Sequence, residues 1–193
     1  MWIEGGNVIL ELKVAPEIAP LHRAQAISYL KVTDADLALV VNFGATSLQV
    51  ERLPNFVRDK PVSFTWEARP TTDELLYSQL TDQILQAMHR VHFTLGPGFL
   101  HQVYRRASLI ELRTQGLQCD YIKEMPVIYQ GQKLGTQAVR LIRVEGKLLV
   151  GAMAVKQIDA VMKGQLQARL RHLEAEVGLL ANFHGTTLDV ARV

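Results

Sequence analysis

The strongest constraint on this chain of 193 residues is that its end repeats its beginning. Moved forward by 140 positions, the segment Val8–Leu53 falls on Leu148–Val193 without a gap. Eleven of the forty-six pairs are identical: Ile18/Ile158, Gln25/Gln165, Leu30/Leu170, Ala35/Ala175, Leu39/Leu179, Asn42/Asn182, Phe43/Phe183, Thr46/Thr186, Leu48/Leu188, Val50/Val190 and Arg52/Arg192. That is about a quarter, against roughly 6% expected from ordinary residue usage, so coincidence is the weaker account. A segment recurring at a fixed offset is one folding unit used twice, and it decides the architecture before any element is assigned.

Short β-branched and aliphatic runs predict strands over Val8–Val14, Leu37–Phe43 and Ser47–Leu53, and apolar residues three and four apart predict a helix over Pro20–Val32. The second copy predicts the same order: Lys147–Val155, a helix over Ile158–Glu174, then Val177–Phe183 and Thr187–Val193. Between them, Pro54–Pro70 carries alternating charge and no sustained period, as a linker does. Amphipathic spacing then predicts helices over Leu75–Phe93 and Phe99–Thr114, broken at Gly96-Pro97-Gly98. Strands over Asp120–Tyr129 and Lys133–Arg143 follow, with Gln130-Gly131 as their hairpin turn. The second copy thus has an N-terminal half that the first lacks. The organisation expected is 1–53, the C-terminal half of a domain; 54–71, a linker; and 72–193, a complete domain.

Composition narrows the function classes. Hydrophobic residues at 48% and charged residues at 21% describe a folded globular chain. With 21 basic and 19 acidic residues the net charge is +2, which excludes a heavily cationic nucleic-acid coat but leaves room for a local patch. Cys119 is the only cysteine, so neither an intrachain disulfide nor a thiolate zinc cluster can form, and a reducing, cytoplasmic setting is expected. No apolar run reaches the roughly 18 residues of a membrane span.

The residues resemble the GxxExxY family of the PD-(D/E)XK nuclease superfamily. In the second copy the resemblance rests on Gly96-Pro97-Gly98, Tyr104, Glu111-Leu112, Gly116-Leu117, Pro126-Val127, Tyr129-Gln130-Gly131, Leu134-Gly135 and Asn182-Phe183; in the first it rests on Val8-Ile9-Leu10-Glu11-Leu12-Lys13-Val14, Gln25, Tyr29-Leu30 and Asn42-Phe43-Gly44. It implies an α/β fold, a restriction-endonuclease-like mixed central sheet flanked by helices, here as one partial and one complete copy in tandem. For intact members it implies divalent-metal-dependent cleavage of nucleic acid.

Such hydrolysis needs carboxylate oxygens to hold Mg²⁺ and a lysine to steady charge or orient water. Alternation along a strand puts Glu11 and Lys13 on one face, with Leu10, Leu12 and Val14 expected to bury on the other. The resemblance makes Glu11 a metal ligand, Lys13 the catalytic lysine and Gln25 the glutamine of the following helix, all as candidate remnants. The aspartate position preceding Glu-x-Lys falls just before Met1, and the helical glutamate has no place in the first copy. Glu11 alone is a weak metal site. In the second copy, Gly98-Phe99-Leu100-His101-Gln102-Val103-Tyr104 carries His101 where the family has Glu. Gly151 and Met153 stand at the Glu-x-Lys positions, Leu141 or Ile142 at the aspartate, and only Gln165 persists. Aliphatic residues cannot ligate Mg²⁺ and neutral imidazole is a poor ligand for it, so this copy is expected to be catalytically dead.

Other constellations carry less. His89 and His92 lie three apart but lack a third ligand. Nothing in the sequence joins His101 to Cys119 as base and nucleophile. Arg105, Arg106 and Arg113, with Arg140, Arg143, Lys163, Arg169 and Arg171, read first as a solvated basic face that could contact phosphates. The leading expectation is therefore a degenerate nuclease-like binding or scaffolding protein without cofactor. The alternatives are an Mg²⁺-dependent nuclease that completes the Glu11–Lys13 site with ligands from another chain or a missing N-terminal segment, and a pseudo-symmetric interaction module. Nucleic acid, a second copy and another protein all stand open as partners.

Overall fold

In a computed structural model of the chain, residues 1–3, 5, 7–55, 63–68 and 75–193 are described. The first half consists of β1 (Trp2–Ile3), β2 (Val8–Lys13), α1 (Pro20–Thr33), β3 (Leu37–Asn42) and β4 (Gln49–Pro54). Its sheet runs β1-β2-β3-β4, with β2 parallel to β3 and antiparallel pairs at both edges. A parallel pair needs a crossover longer than a hairpin, and α1 is that crossover. Pro20 suits the start of α1, where its missing N–H would have found no partner.

The second half adds α2 (Ser78–Leu95), α3 (His101–Thr114), β5 (Cys119–Tyr129) and β6 (Gln132–Val144) ahead of β7 (Leu148–Met153), α4 (Ala160–His172), β8 (Val177–Asn182) and β9 (Asp189–Arg192). Its order is β5-β6-β7-β8-β9, again with one parallel pair, β7 and β8. Gln130 and Gly131 take positive φ at the β5–β6 turn, the geometry that matches strand twist in a two-residue hairpin. Asp159 caps α4 by accepting the Met162 N–H at 2.8 Å.

The registers agree between halves. Val8 pairs with Leu37 and Lys13 with Asn42; Leu148 pairs with Val177 and Met153 with Asn182. Leu39 faces Arg52 as Leu179 faces Arg192. The buried Asn42 accepts the Ala15 N–H at 2.9 Å and donates to the Ala15 carbonyl at 2.8 Å, and Asn182 holds Val155 at the same two distances. The offset breaks only at the preceding hairpin, where Ile3 pairs with Val8 but Val144 with Leu148, a loop one residue shorter.

One strand was not expected from the sequence, and one expectation needs correction. The strand Trp2–Ile3 is too short to show a period, and only its pairing to Val8 and Ile9 reveals it. Leu12 and Val14 are not buried: they are 51% and 86% exposed. Alternation separated the faces correctly, but burial also requires a covering layer. In the second half α2 and α3 supply it, closing Ile84, Met88, Tyr104 and Leu112 over Leu148, Val150, Leu179 and Phe183. Tyr104 stacks on Phe183 at 4.5 Å and donates its hydroxyl to the Gly96 carbonyl at 2.7 Å. The opposite faces are covered in both halves, by α1 over Ile9, Ala38 and Val40 and by α4 over Leu149 and Leu180.

The halves meet where α1 rests on the Gly96-Pro97-Gly98 turn. Tyr29 donates to the Gly98 carbonyl at 2.7 Å and packs edge-on against Phe99 at 5.4 Å. Both glycines have positive φ, and a Cβ on Gly96 would overlap the Ser28 hydroxyl, so only glycine permits this approach. Of the expected linker, 56–62 and 69–71 lie outside the described residues. Within 63–68, Trp66 donates to Asp82 at 3.2 Å and Phe64 packs on Phe93 at 5.7 Å, which holds that stretch against α2.

Candidate functional site

β2 ends beside the C-terminal end of its parallel neighbour β3, and α1 crosses above it. Glu11 and Lys13 share the α1 side of β2, and Gln25 looks back from the second turn of α1. The three come together. The Lys13 ammonium lies 2.8 Å from Glu11 Oε1 and donates to Gln25 Oε1 at 2.6 Å. The lysine and glutamate side chains are 19% and 18% exposed, so the pair is partly withdrawn from water.

His22 and Tyr29 join the cluster, although His22 was not singled out from the sequence and Tyr29 only as part of the Tyr29-Leu30 motif. Burial, aided by the Lys13 charge, holds the His22 imidazole below its ordinary pKa, and Glu11 opposes the shift. Burial raises the Tyr29 hydroxyl, and Glu11 adds to the effect. The signal was available: residues 22, 25 and 29 lie three and four apart and therefore share one helix face. Arg23, just off that face, forms a two-pronged bond to Glu51 on β4 instead.

A hard divalent cation needs several oxygen ligands. Glu11 is the only carboxylate among the predicted positions of this site, and the neighbouring ammonium already neutralises it. Among the described residues no group of three His, Cys, Asp or Glu side chains comes together that could hold a metal. The residues present do not fit a Mg²⁺ centre of the expected kind.

In the second half, all four expected positions line one cavity of about 420 Å³: His101 from α3, Gly151 and Met153 from β7, and Gln165 from α4. Leu141 lines it too, whereas Ile142 faces the core under α2 and α3. Across the strand pair Ile142 faces Val150, and in the first half Met1 bonds Leu10, the counterpart of Val150. Met1 is therefore the counterpart of Ile142. His101 Nδ1 accepts the Ala154 N–H at 3.1 Å, and burial together with Arg105 and Arg140 lowers its pKa, keeping the ring neutral near pH 7.

Arg105, Arg140 and Arg169 complete the wall of that cavity, and no carboxylate lines it. An adjoining cavity of about 510 Å³ is lined by Arg105, Arg106, Lys123 and Arg140 with Gln102, Leu109 and Tyr121, again without an acid. Sequence reading noted these arginines but not their convergence, nor Tyr121 and Lys123, which alternate on β5. Arg113 and Arg143 are used otherwise, donating to the carbonyls of Cys119 and Leu173. His89 and His92 part company: the ring of His89 lies 5.1 Å from Trp66, and His92 Nε2 is 3.0 Å from the Gly185 carbonyl. Cys119 is buried in the core, where its thiol is pushed up to about 11, in surroundings different from those of His101. No helix among the described residues is long and apolar enough to cross a membrane.

The family model of the PD-(D/E)XK nuclease superfamily matches residues 2–53 and 78–193. No curated protein and no solved structure matches the chain. With mixed sheets packed against helices and the family match covering most of its length, the chain belongs to the PD-(D/E)XK nuclease superfamily.

Proposed function

We propose that this protein is a degenerate tandem member of its superfamily, residues 1–53 forming a partial copy and 72–193 a complete one, that binds nucleic acid without cutting it. The reading is of a cytoplasmic protein, a setting that suits its single buried thiol. Support for two copies comes from the shared registers, the paired asparagines and a family match that leaves out residues 54–77. The observation that carries the binding reading is the acid-free wall of the second site. Where metal-dependent hydrolysis would need carboxylates, the cavity presents His101, Gly151, Met153 and Gln165 beside three arginines. Guanidinium groups can hold phosphate oxygens directly, with no metal between.

The test is binding and cleavage of labelled single- and double-stranded DNA, with and without Mg²⁺ or Mn²⁺. Expected are salt-sensitive binding, weakened by Arg105→Ala and Arg140→Ala, and intact substrate. Binding indifferent to both changes would remove the reading. The Glu11–Lys13–Gln25 cluster favours one competitor, a nuclease completed by ligands from another chain. Metal-dependent cleavage abolished by Glu11→Gln, which keeps shape and removes charge, would establish that competitor instead.

A further inference from the structure

Among the described residues, the face of the first sheet turned away from α1 is apolar and open. Leu12, Phe43, Leu48 and Val50 are 51, 60, 62 and 55% exposed. Contiguous apolar surface of this kind marks a place where something binds. In the second half the same face is closed. Phe183 is fully buried beneath Tyr104 of α3, and Leu188 and Val190 pack into the same core. Arg192 donates to the Thr81 hydroxyl of α2 at 2.9 Å and to the Leu76 carbonyl just ahead of it.

Phe43, Leu48, Val50 and Arg52 stand 140 positions before Phe183, Leu188, Val190 and Arg192, and each pair is identical. The side chains that engage a helix pair in one half are thus kept in the other, in the same strand register. Arg52 is exposed and makes no hydrogen bond or ion pair with a described residue. Exposed apolar side chains gain nothing from water, so their retention fits a surface that is covered.

We propose that this face seats an antiparallel helix pair of the α2–α3 kind, supplied from outside residues 1–193. The occupant would bring an aromatic ring to stack on Phe43, an apolar stripe for Leu12, Leu48 and Val50, and a hydroxyl or carbonyl for Arg52. The chain's own α2 and α3 are already spent on β7 and β8. A second copy docked face to face fits less well: a two-fold interface brings like surface against like, and among the described residues this face offers no acid to receive Arg52.

The inference rests on the two-copy reading above, but its test reads seating rather than nucleic-acid binding, so the two fail separately. A fusion carrying residues 75–141 ahead of Met1 supplies the helices in cis. It is compared with the full chain by apolar-dye binding, hydrogen exchange in β3 and β4, and sedimentation. The full chain should be a monomer that binds dye. The fusion should lose the dye and slow exchange in β4 by about tenfold, and Phe43→Asp within it should reverse both. A synthetic peptide of residues 75–117, added in trans, should bind the full chain and not its Phe43→Asp variant. A full-chain dimer split by Phe43→Asp would overturn the proposal in favour of a second copy. It is equally overturned if the full chain binds no dye, or if neither fusion nor peptide protects the face.

Discussion

The segments β2–α1–β3–β4 and β7–α4–β8–β9 share strand order, register and an asparagine clamp, yet they differ in what covers them. Behind β8 a helix pair buries Phe183 completely; behind β3, Phe43 stands 60% exposed. The backbone plan is therefore independent of the layer that rests on it. The inner packing shows the same independence. Leu166 on α4 meets Gly178 on β8, while their counterparts Ala26 and Ala38 divide the same space between two smaller side chains.

The difference in covering predicts the largest contrast. Phe183→Ala should cost about 3–5 kcal/mol, the usual price of emptying a buried aromatic site. Phe43→Ala should stay within about 0.5 kcal/mol. Denaturant midpoints read both, and a Phe43→Ala loss near that of Phe183→Ala would erase the contrast. Next in size is a predicted equality: Asn42→Ala and Asn182→Ala each strip two bonds from one neighbouring backbone, so each should cost about 1–3 kcal/mol. Losses differing by more than about twofold would show that the clamps are not equivalent.

Gly178→Ala should cost about 1–3 kcal/mol, because the new methyl would meet Leu166 at about 2.6 Å. In a double-mutant cycle with Leu166→Ala, the pair should cost less than the sum of the singles. Strict additivity would mean that the two positions do not share one space. The smallest effect is on pH dependence. Burial holds His92 below its ordinary 6.5, so the unfolded chain binds the proton more readily than the folded one. Its contribution is present above about pH 6.5 and is lost as pH falls toward the lowered folded value. His92→Gln should flatten stability over that window, whereas an unchanged slope would assign the acid sensitivity elsewhere.

Much of this was legible in the sequence because periodicity and repetition are local properties. The element order, the hairpin at Gln130-Gly131 and the clustering of Glu11 with Lys13 follow from alternation, helical spacing and the offset, whereas the positions His101, Gly151, Met153 and Gln165, which share one wall, were implied by the family resemblance. What escaped depends on partners distant in the chain. Leu12 and Val14 have the pattern of buried residues, but no helix among the described residues lies behind them. His22 and Tyr29 needed the strand beneath α1 before their helix face meant anything. Lys123 needed Arg140 to be brought beside it by the β5–β6 pairing.

Gly151 sits between Leu141 and Leu180, and a Cβ added there would come within 3.3 and 3.1 Å of their methyl groups. On the proposed descent, this gives the lineage a direction. A single codon change restoring glutamate would push a carboxylate into a leucine wall, with Leu141 where a second acid would be needed and Met153 where the lysine would stand. On that descent each reversion alone returns no chemistry, so selection has no first step to reward. On the same descent the second copy could leave catalysis one change at a time, while the way back requires several simultaneous changes. Relatives that branch after the leucines closed in should hold on to the fold and vary at its rim, without regaining the hydrolytic centre.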